Sequence, residues 1–107
     1  MIISMTKKHI DLIKQGKKTT TLRSLTEVYP LGYNTLSDNV TEIAINSRTL
    51  TLVFERIFNF DKANYLDEKI VARTEGYKSW GEVVSELKKM RHKLPKKMWL
   101  YEFKVVK

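Results

Sequence analysis

The run Thr49–Phe58 constrains the fold more than any other part of this chain. As an extended strand it puts Leu50, Leu52 and Phe54 on one face and Thr51, Val53 and Glu55 on the other. Apolar residues on both faces argue for a central strand or a closed sheet, because an open edge leaves one face to water. The last stretch, Met98–Val106, alternates in the same way, with Trp99, Tyr101 and Phe103 against Leu100, Glu102 and Lys104. A chain of 107 residues is a single domain with room for one core.

The other elements follow from period and punctuation. Ile2–Met5 reads as a first strand, and Thr6 as the N-cap of a helix over Lys7–Gln15 with Ile10, Leu12 and Ile13 as its apolar stripe. Gly16 is placed to end it. Thr19–Leu25 is rich in β-branched residues and predicts a strand. Pro30, Gly32, Asn34, Ser37 and Asp38 predict a loop over Thr26–Asn39. A short strand is expected at Val40–Ile45, then a hairpin turn at Asn46-Ser47-Arg48.

Asp61 or Asn64 can cap a helix over Tyr65–Thr74, with Leu66, Ile70 and Val71 as its core face and Gly76 beyond its end. Ser79 and Glu82 have capping-box spacing and open a helix to about Met90. Its core face is Trp80, Val83, Val84, Leu87 and Met90. Short strands outnumber helices, so the predicted architecture is α+β: a small curled sheet or barrel decorated by helices.

Composition narrows the function. There is no cysteine, which removes disulfides and thiolate zinc sites. His9 and His92 lack ligand spacing, so no metal or other cofactor is expected. His92, among lysines, is at most a phosphate contact. The N-terminal apolar run is too short for a signal peptide and no run approaches a membrane span, so the expected location is cytoplasmic, with no membrane partner. The net charge of +8, from 20 Lys+Arg against 12 Asp+Glu, favours polyanions such as nucleic acid, although solvated helix faces would also account for it. One basic group spans Lys7 to Arg23 and another Lys88 to Lys97.

The octet Gly16–Arg23 is chemically unusual. Strand alternation puts Thr19, Thr21 and Arg23 on one face and Thr20 and Leu22 on the other. Two hydroxyls and a guanidinium on one face meet either solvent or a polar cleft. Glu75 sits at a helix C-terminus, where the dipole disfavours a carboxylate; it is either a tolerated surface residue or one held there to meet a cation. A reactive lysine at Lys18 would need burial or a neighbouring cation to lower its pKa. Trp80 and Trp99 are expected to pack inside, whereas Tyr29, Tyr33 and Tyr77 are candidate stacking rings for a base.

The run Ile13–Arg23, together with Ala72-Arg73-Thr74-Glu75-Gly76-Tyr77-Lys78-Ser79-Trp80 and the closing Tyr101-Glu102-Phe103-Lys104, resembles the ASCH superfamily over nearly the whole chain. The resemblance implies a PUA-like β-barrel with helices at its mouth, binding RNA or a modified nucleotide or nucleoside in a basic cleft. One branch of that superfamily removes the acetyl group of N4-acetylcytidine; other members are ribonucleases. Carried onto this chain, the catalytic residues would be Lys18, Thr21 and Glu75. Lys17, Lys18, Thr19, Arg23 and Tyr77 would contact the ligand. The family's Gly-Asp turn is split here between Gly32 and Asp38, which implies a cleft loop of different shape.

Overall fold

The computed structural model describes residues 2–38, 44–91 and 93–106. Five strands form one sheet in the order β1-β3-β4-β5-β2: β1 Ile2–Met5, β2 Thr20–Arg23, β3 Gly32–Asp38, β4 Ala44–Asn59 and β5 Lys97–Val106. The single parallel pair is β1 with β3; β3–β4, β4–β5 and β5–β2 are antiparallel. Helix α1 (Lys7–Lys14) joins β1 to β2, and α2 (Tyr65–Thr74) and α3 (Trp80–Arg91) lie between β4 and β5. Among the described residues no helix is long and apolar enough to cross a membrane.

The central β4 and β5 are the two strands whose patterns were two-faced. For β4 that expectation holds only in part: Leu50, Leu52 and Phe58 are buried, but the register shifts between Leu52 and Phe54, and Val53 and Phe54 are exposed. Ile3, Met5, Leu36, Leu50, Leu52, Tyr101 and Phe103 fill the concave side, with Ile10 and Ile13 of α1 packed into it. On the other side, Leu100, Phe58 and Met98 meet Val71 and Ala72 of α2 and Val83 and Leu87 of α3. Trp80 is half-buried there against Phe58 and Phe60. Together these are the curled sheet and helical cover of a small PUA-like barrel.

Besides Met90, expected on the core face of α3 and in fact exposed, four expectations need correction. The segment over Gly32–Asp38, with its turn-type composition, is strand β3 rather than a loop. Asn34 is buried, and its side-chain Nδ2 donates to the carbonyls of Pro30 and Gly32, while its Oδ1 has no partner among the described residues. Asn46-Ser47-Arg48 lies within β4 and is no turn; the β3 register shifts beside it, between Thr35 and Ser37. Residues 40–43 of the expected short strand, and His92, lie outside the described residues.

The third correction concerns α2, which buries Val71 and Ala72, while Leu66 and Ile70 are about half exposed or more. The helix is rotated so that its C-terminal end, not its apolar stripe, meets the sheet. Lastly, Thr6 has the extended backbone of an N-cap but makes no side-chain capping bond. At α3, Ser79 does accept from Glu82 N–H, while Glu82 accepts from the N–H of Lys78 rather than that of Ser79.

Candidate functional site

The strands at the two ends of the sheet, β1 and β2, are not laddered to each other. Arg23 crosses the seam: its Nη2 donates to the Ser4 carbonyl of β1 at 2.8 Å. A cleft of about 260 Å³ opens along this seam, at the small end of ligand sites. The end of β1, the first turn of α1, the polar face of β2 and one face of α3 line it.

Glu75 is brought to the cleft wall by a close approach of backbones. Helix α2 ends at Glu75, and Gly76 turns with φ of 90°. A Cβ at Gly76 would stand 3.0 Å from Leu12 Cδ1 and 3.4 Å from the Lys17 carbonyl. Glycine therefore serves two needs here, the left-handed turn and the contact with the α1–β2 connection. The Thr19 N–H donates to the Thr74 carbonyl at 2.8 Å and fixes the same junction.

The Glu75 carboxylate is buried and fully engaged. Lys18 Nζ donates to Oε2 at 2.7 Å, Thr20 Oγ1 lies 3.1 Å from the same oxygen, and the Leu22 backbone N–H donates to Oε1 at 2.7 Å. Lys18 is equally buried, at 4% exposure. Burial holds its ammonium below the usual lysine range, against the pull of Glu75 in the other direction; Arg23 adds to the lowering.

Beside Thr20 on β2, Thr21 is buried, lines the same cleft as Lys18 and Glu75, and accepts at Oγ1 from Arg23 Nε at 3.1 Å. Arg23 Nη1 also reaches Glu27 at 3.3 Å. The guanidinium is thus tied to the hydroxyl, the seam and a carboxylate at once.

Lys18, Thr21, Arg23, Glu75 and Tyr77 all line the cleft. Lys17 and Thr19 do not; both are exposed on the far side of the turn. Of the stacking candidates, Tyr29 belongs to the core, edge-on to Tyr101, and Tyr33 is exposed on β3. Tyr77 borders the cleft, and burial together with Glu86 and Glu75 pushes its hydroxyl up to about 12. Trp99 is partly buried against the core, with its indole N–H directed to the Leu25 carbonyl at 3.3 Å.

His9 is the cleft residue that was not anticipated. Its Nε2 lies 3.3 Å from the Tyr77 hydroxyl, while its Nδ1 is buried with no partner among the described residues. Burial, then the charge of Lys18, lowers its pKa from 6.5 to about 4, so the ring is neutral at neutral pH. The signal was available: His9 stands one turn before Leu12 and Ile13, on the flank of the buried stripe.

The cleft is not basic. Its ionisable lining is Lys8, Lys18 and Arg23 against Glu27, Glu75 and Glu86, three of each sign. Lys8 and Glu86 form a 3.5 Å pair between α1 and α3. This overturns the expectation of a positively charged pocket; the charge excess of the chain lies elsewhere.

No protein-family model matches the sequence, and no curated protein is significantly similar to it. Solved structures are similar in fold. An ASCH domain from Lactobacillus crispatus JV V101 is 16% identical with a TM-score of 0.61, over 97% of this chain and 79% of that one. A protein from Enterococcus faecalis V583, of family DUF984, is 20% identical with a TM-score of 0.64, over 92% of this chain and 70% of that one. The hypothetical protein PH0355 is 16% identical with a TM-score of 0.64, over 98% and 97% of the two chains.

Proposed function

For a chain with the fold of an ASCH domain, we propose that the seam cleft binds an acylated nucleoside and hydrolyses its exocyclic amide, N4-acetylcytidine being the simplest such compound. One observation carries the reading: a lysine at 4% exposure with a lowered pKa, ion-paired at 2.7 Å, in the same cleft wall as a hydroxyl held by a guanidinium. A structural ion pair has no need of an open cleft beside it.

The chemistry runs in two halves. Thr21 Oγ attacks the acyl carbon while its proton passes to Lys18 Nζ, which must first lose to solvent the proton it shares with Glu75, a loss that burial makes easier. Glu75, 2.7 Å away, stabilises the ammonium that forms. Arg23 Nε–H offsets the negative charge that builds on Thr21 Oγ as its proton leaves. The C–N bond breaks, the leaving amine takes the proton from Lys18, and cytidine departs. Water, deprotonated by Lys18, then cleaves the threonine ester to release acetate and restore the hydroxyl.

A balanced set of charges in a cleft of about 260 Å³ suits a neutral, single-nucleoside ligand better than a polyanion. The test is turnover of N4-acetylcytidine to cytidine. Thr21→Val keeps the shape and removes the nucleophile, and should lower kcat at least about 100-fold. Turnover that survives Thr21→Val, or its absence in the wild type, defeats the reading. Binding of the nucleoside without turnover would leave a ligand cleft and no hydrolase.

A further inference from the structure

The cleft leaves the net charge of the chain unexplained. Between Leu87 and Tyr101 there are six basic residues, Lys88, Lys89, Arg91, Lys93, Lys96 and Lys97, and no acidic one. The remainder of the chain has 14 basic residues against 12 acidic, so this run carries +6 of the net +8. Lys88, Lys89, Lys93, Lys96 and Lys97 are all exposed, and none has an ion-pair partner among the described residues.

The backbone beneath these lysines is anchored. Leu87 and Met98 are buried and Leu94 is half-buried in the core between α3 and β5. The Lys96 carbonyl accepts from Phe60 N–H at 2.8 Å. The turn that Phe60 enters carries Asp61 and Lys62, which cancel. The described lysines of this run therefore stand on anchored backbone. The helix dipole accounts for cations in the last turn of α3, at Lys88, Lys89 and Arg91. It gives no reason for Lys93, Lys96 and Lys97, which lie beyond the helix, and like charges this close repel.

We infer that this run is a second binding surface, separate from the cleft, for the phosphate backbone of a polynucleotide strand. Exposed lysines, unpaired among the described residues, hold phosphates as point charges and read no sequence. An acidic protein partner would bring aromatic or arginine anchors into the interface, where lysine is depleted. A membrane surface would call for apolar side chains beside the charges, and among the described residues of the run Met90 is the one exposed large apolar side chain.

The experiment is anisotropy titration of labelled oligouridylate and oligothymidylate against sodium chloride, the two probes separating RNA from DNA. The variant replaces Lys88, Lys89, Lys93, Lys96 and Lys97 by Gln; a control replaces the exposed Lys7, Lys14 and Lys17 by Gln. The wild type should bind with a log K that falls linearly in log salt, and the slope should lose about 0.7 for each lysine that holds a phosphate. At about 0.1 M salt the five-site variant should bind at least tenfold more weakly, with the control near wild type and both variants melting as the wild type does.

Equal losses in the two variants, no binding of either probe at low salt, or tighter binding to phosphatidylserine vesicles than to the oligonucleotides would each overturn the inference. N4-acetylcytidine turnover reads the cleft alone. Oligonucleotide binding without turnover sinks the cleft chemistry and leaves this surface standing, and the reverse result does the opposite.

Discussion

Two regions of this molecule concentrate charge, and they do so by opposite rules. Around Lys18 and Glu75 every ionised group is paired, buried or bridged, and the cleft lining balances three cations against three carboxylates. Between Leu87 and Tyr101 six cations face no acid in the sequence, and the described lysines stand in water. Burial explains the difference. A charge taken from water must find a partner in fixed geometry, whereas an exposed one is screened within about 10 Å. The first arrangement tolerates little change; the second tolerates a great deal. The net charge of a chain therefore says little about the charge of its cleft.

The largest expected effect is at the buried pair. Glu75→Gln leaves the Lys18 ammonium without its counter-charge and should destabilise the fold by about 3–5 kcal/mol, read by urea unfolding. The double variant Lys18→Met/Glu75→Gln removes the stranded charge and should recover most of that loss. If the single variant is as stable as the wild type, the buried region obeys the rule of the exposed one and the contrast fails.

Next comes Gly76→Ala. The positive φ and the 3.0 Å approach to Leu12 Cδ1 should together cost about 1–3 kcal/mol, with the same assay as readout. Leu12 Cδ1 is the end of a flexible side chain and can give way, and the Lys17 carbonyl at 3.4 Å is at contact distance, so the positive φ carries most of the cost.

His9 adds a pH dependence of smaller size. Its folded pKa of about 4 lies below its ordinary 6.5, so between these values the unfolded chain binds more protons than the folded one. The stability due to His9 is complete above pH 6.5 and lost as pH falls toward 4. The groups that set it are Lys18, Lys8 and Arg23, with Glu86 opposing and Tyr77 as hydrogen-bond partner. His9→Gln should flatten the wild-type stability profile across that window; an unchanged slope would mean that the ring charges freely in the cleft.

The smallest effect belongs to the basic run. Gln at Lys88, Lys89, Lys93, Lys96 and Lys97 should each change stability by no more than about 0.5 kcal/mol, with relief of repulsion as the expected sign. A large loss at any of them would show a structural partner.

Much of the fold was legible because β4 and β5 carry apolar residues on both sides and are central strands, although Val53 and Phe54 of β4 are exposed. Glu75 was legible as a misfit, a carboxylate at the wrong end of a helix dipole. What escaped was decided by neighbours distant in sequence. Nothing local announces that Gly32–Asp38 pairs with β1 and β4, since its residues favour turns and are rescued by ladder bonds and by the Asn34 amide. Nothing local announces that α2 turns its apolar stripe outward, since the pull comes from Val71, Ala72 and the Glu75 anchor. The balance of the cleft was hidden for the same reason. Glu27 and Glu86 come from a loop and a helix that the sequence gives no cause to place beside Arg23 and Lys8.

The Arg23–Ser4 bond has a mechanical consequence. Elsewhere, separating two neighbouring strands means breaking a whole ladder of backbone bonds. At the seam, among the described residues, the two edge strands share one side-chain hydrogen bond in place of a ladder, and an incoming carbonyl or water can replace it. The barrel thus has a built-in zip: the wall of the cleft can widen for a bulkier guest while the remaining four strand pairs keep their register.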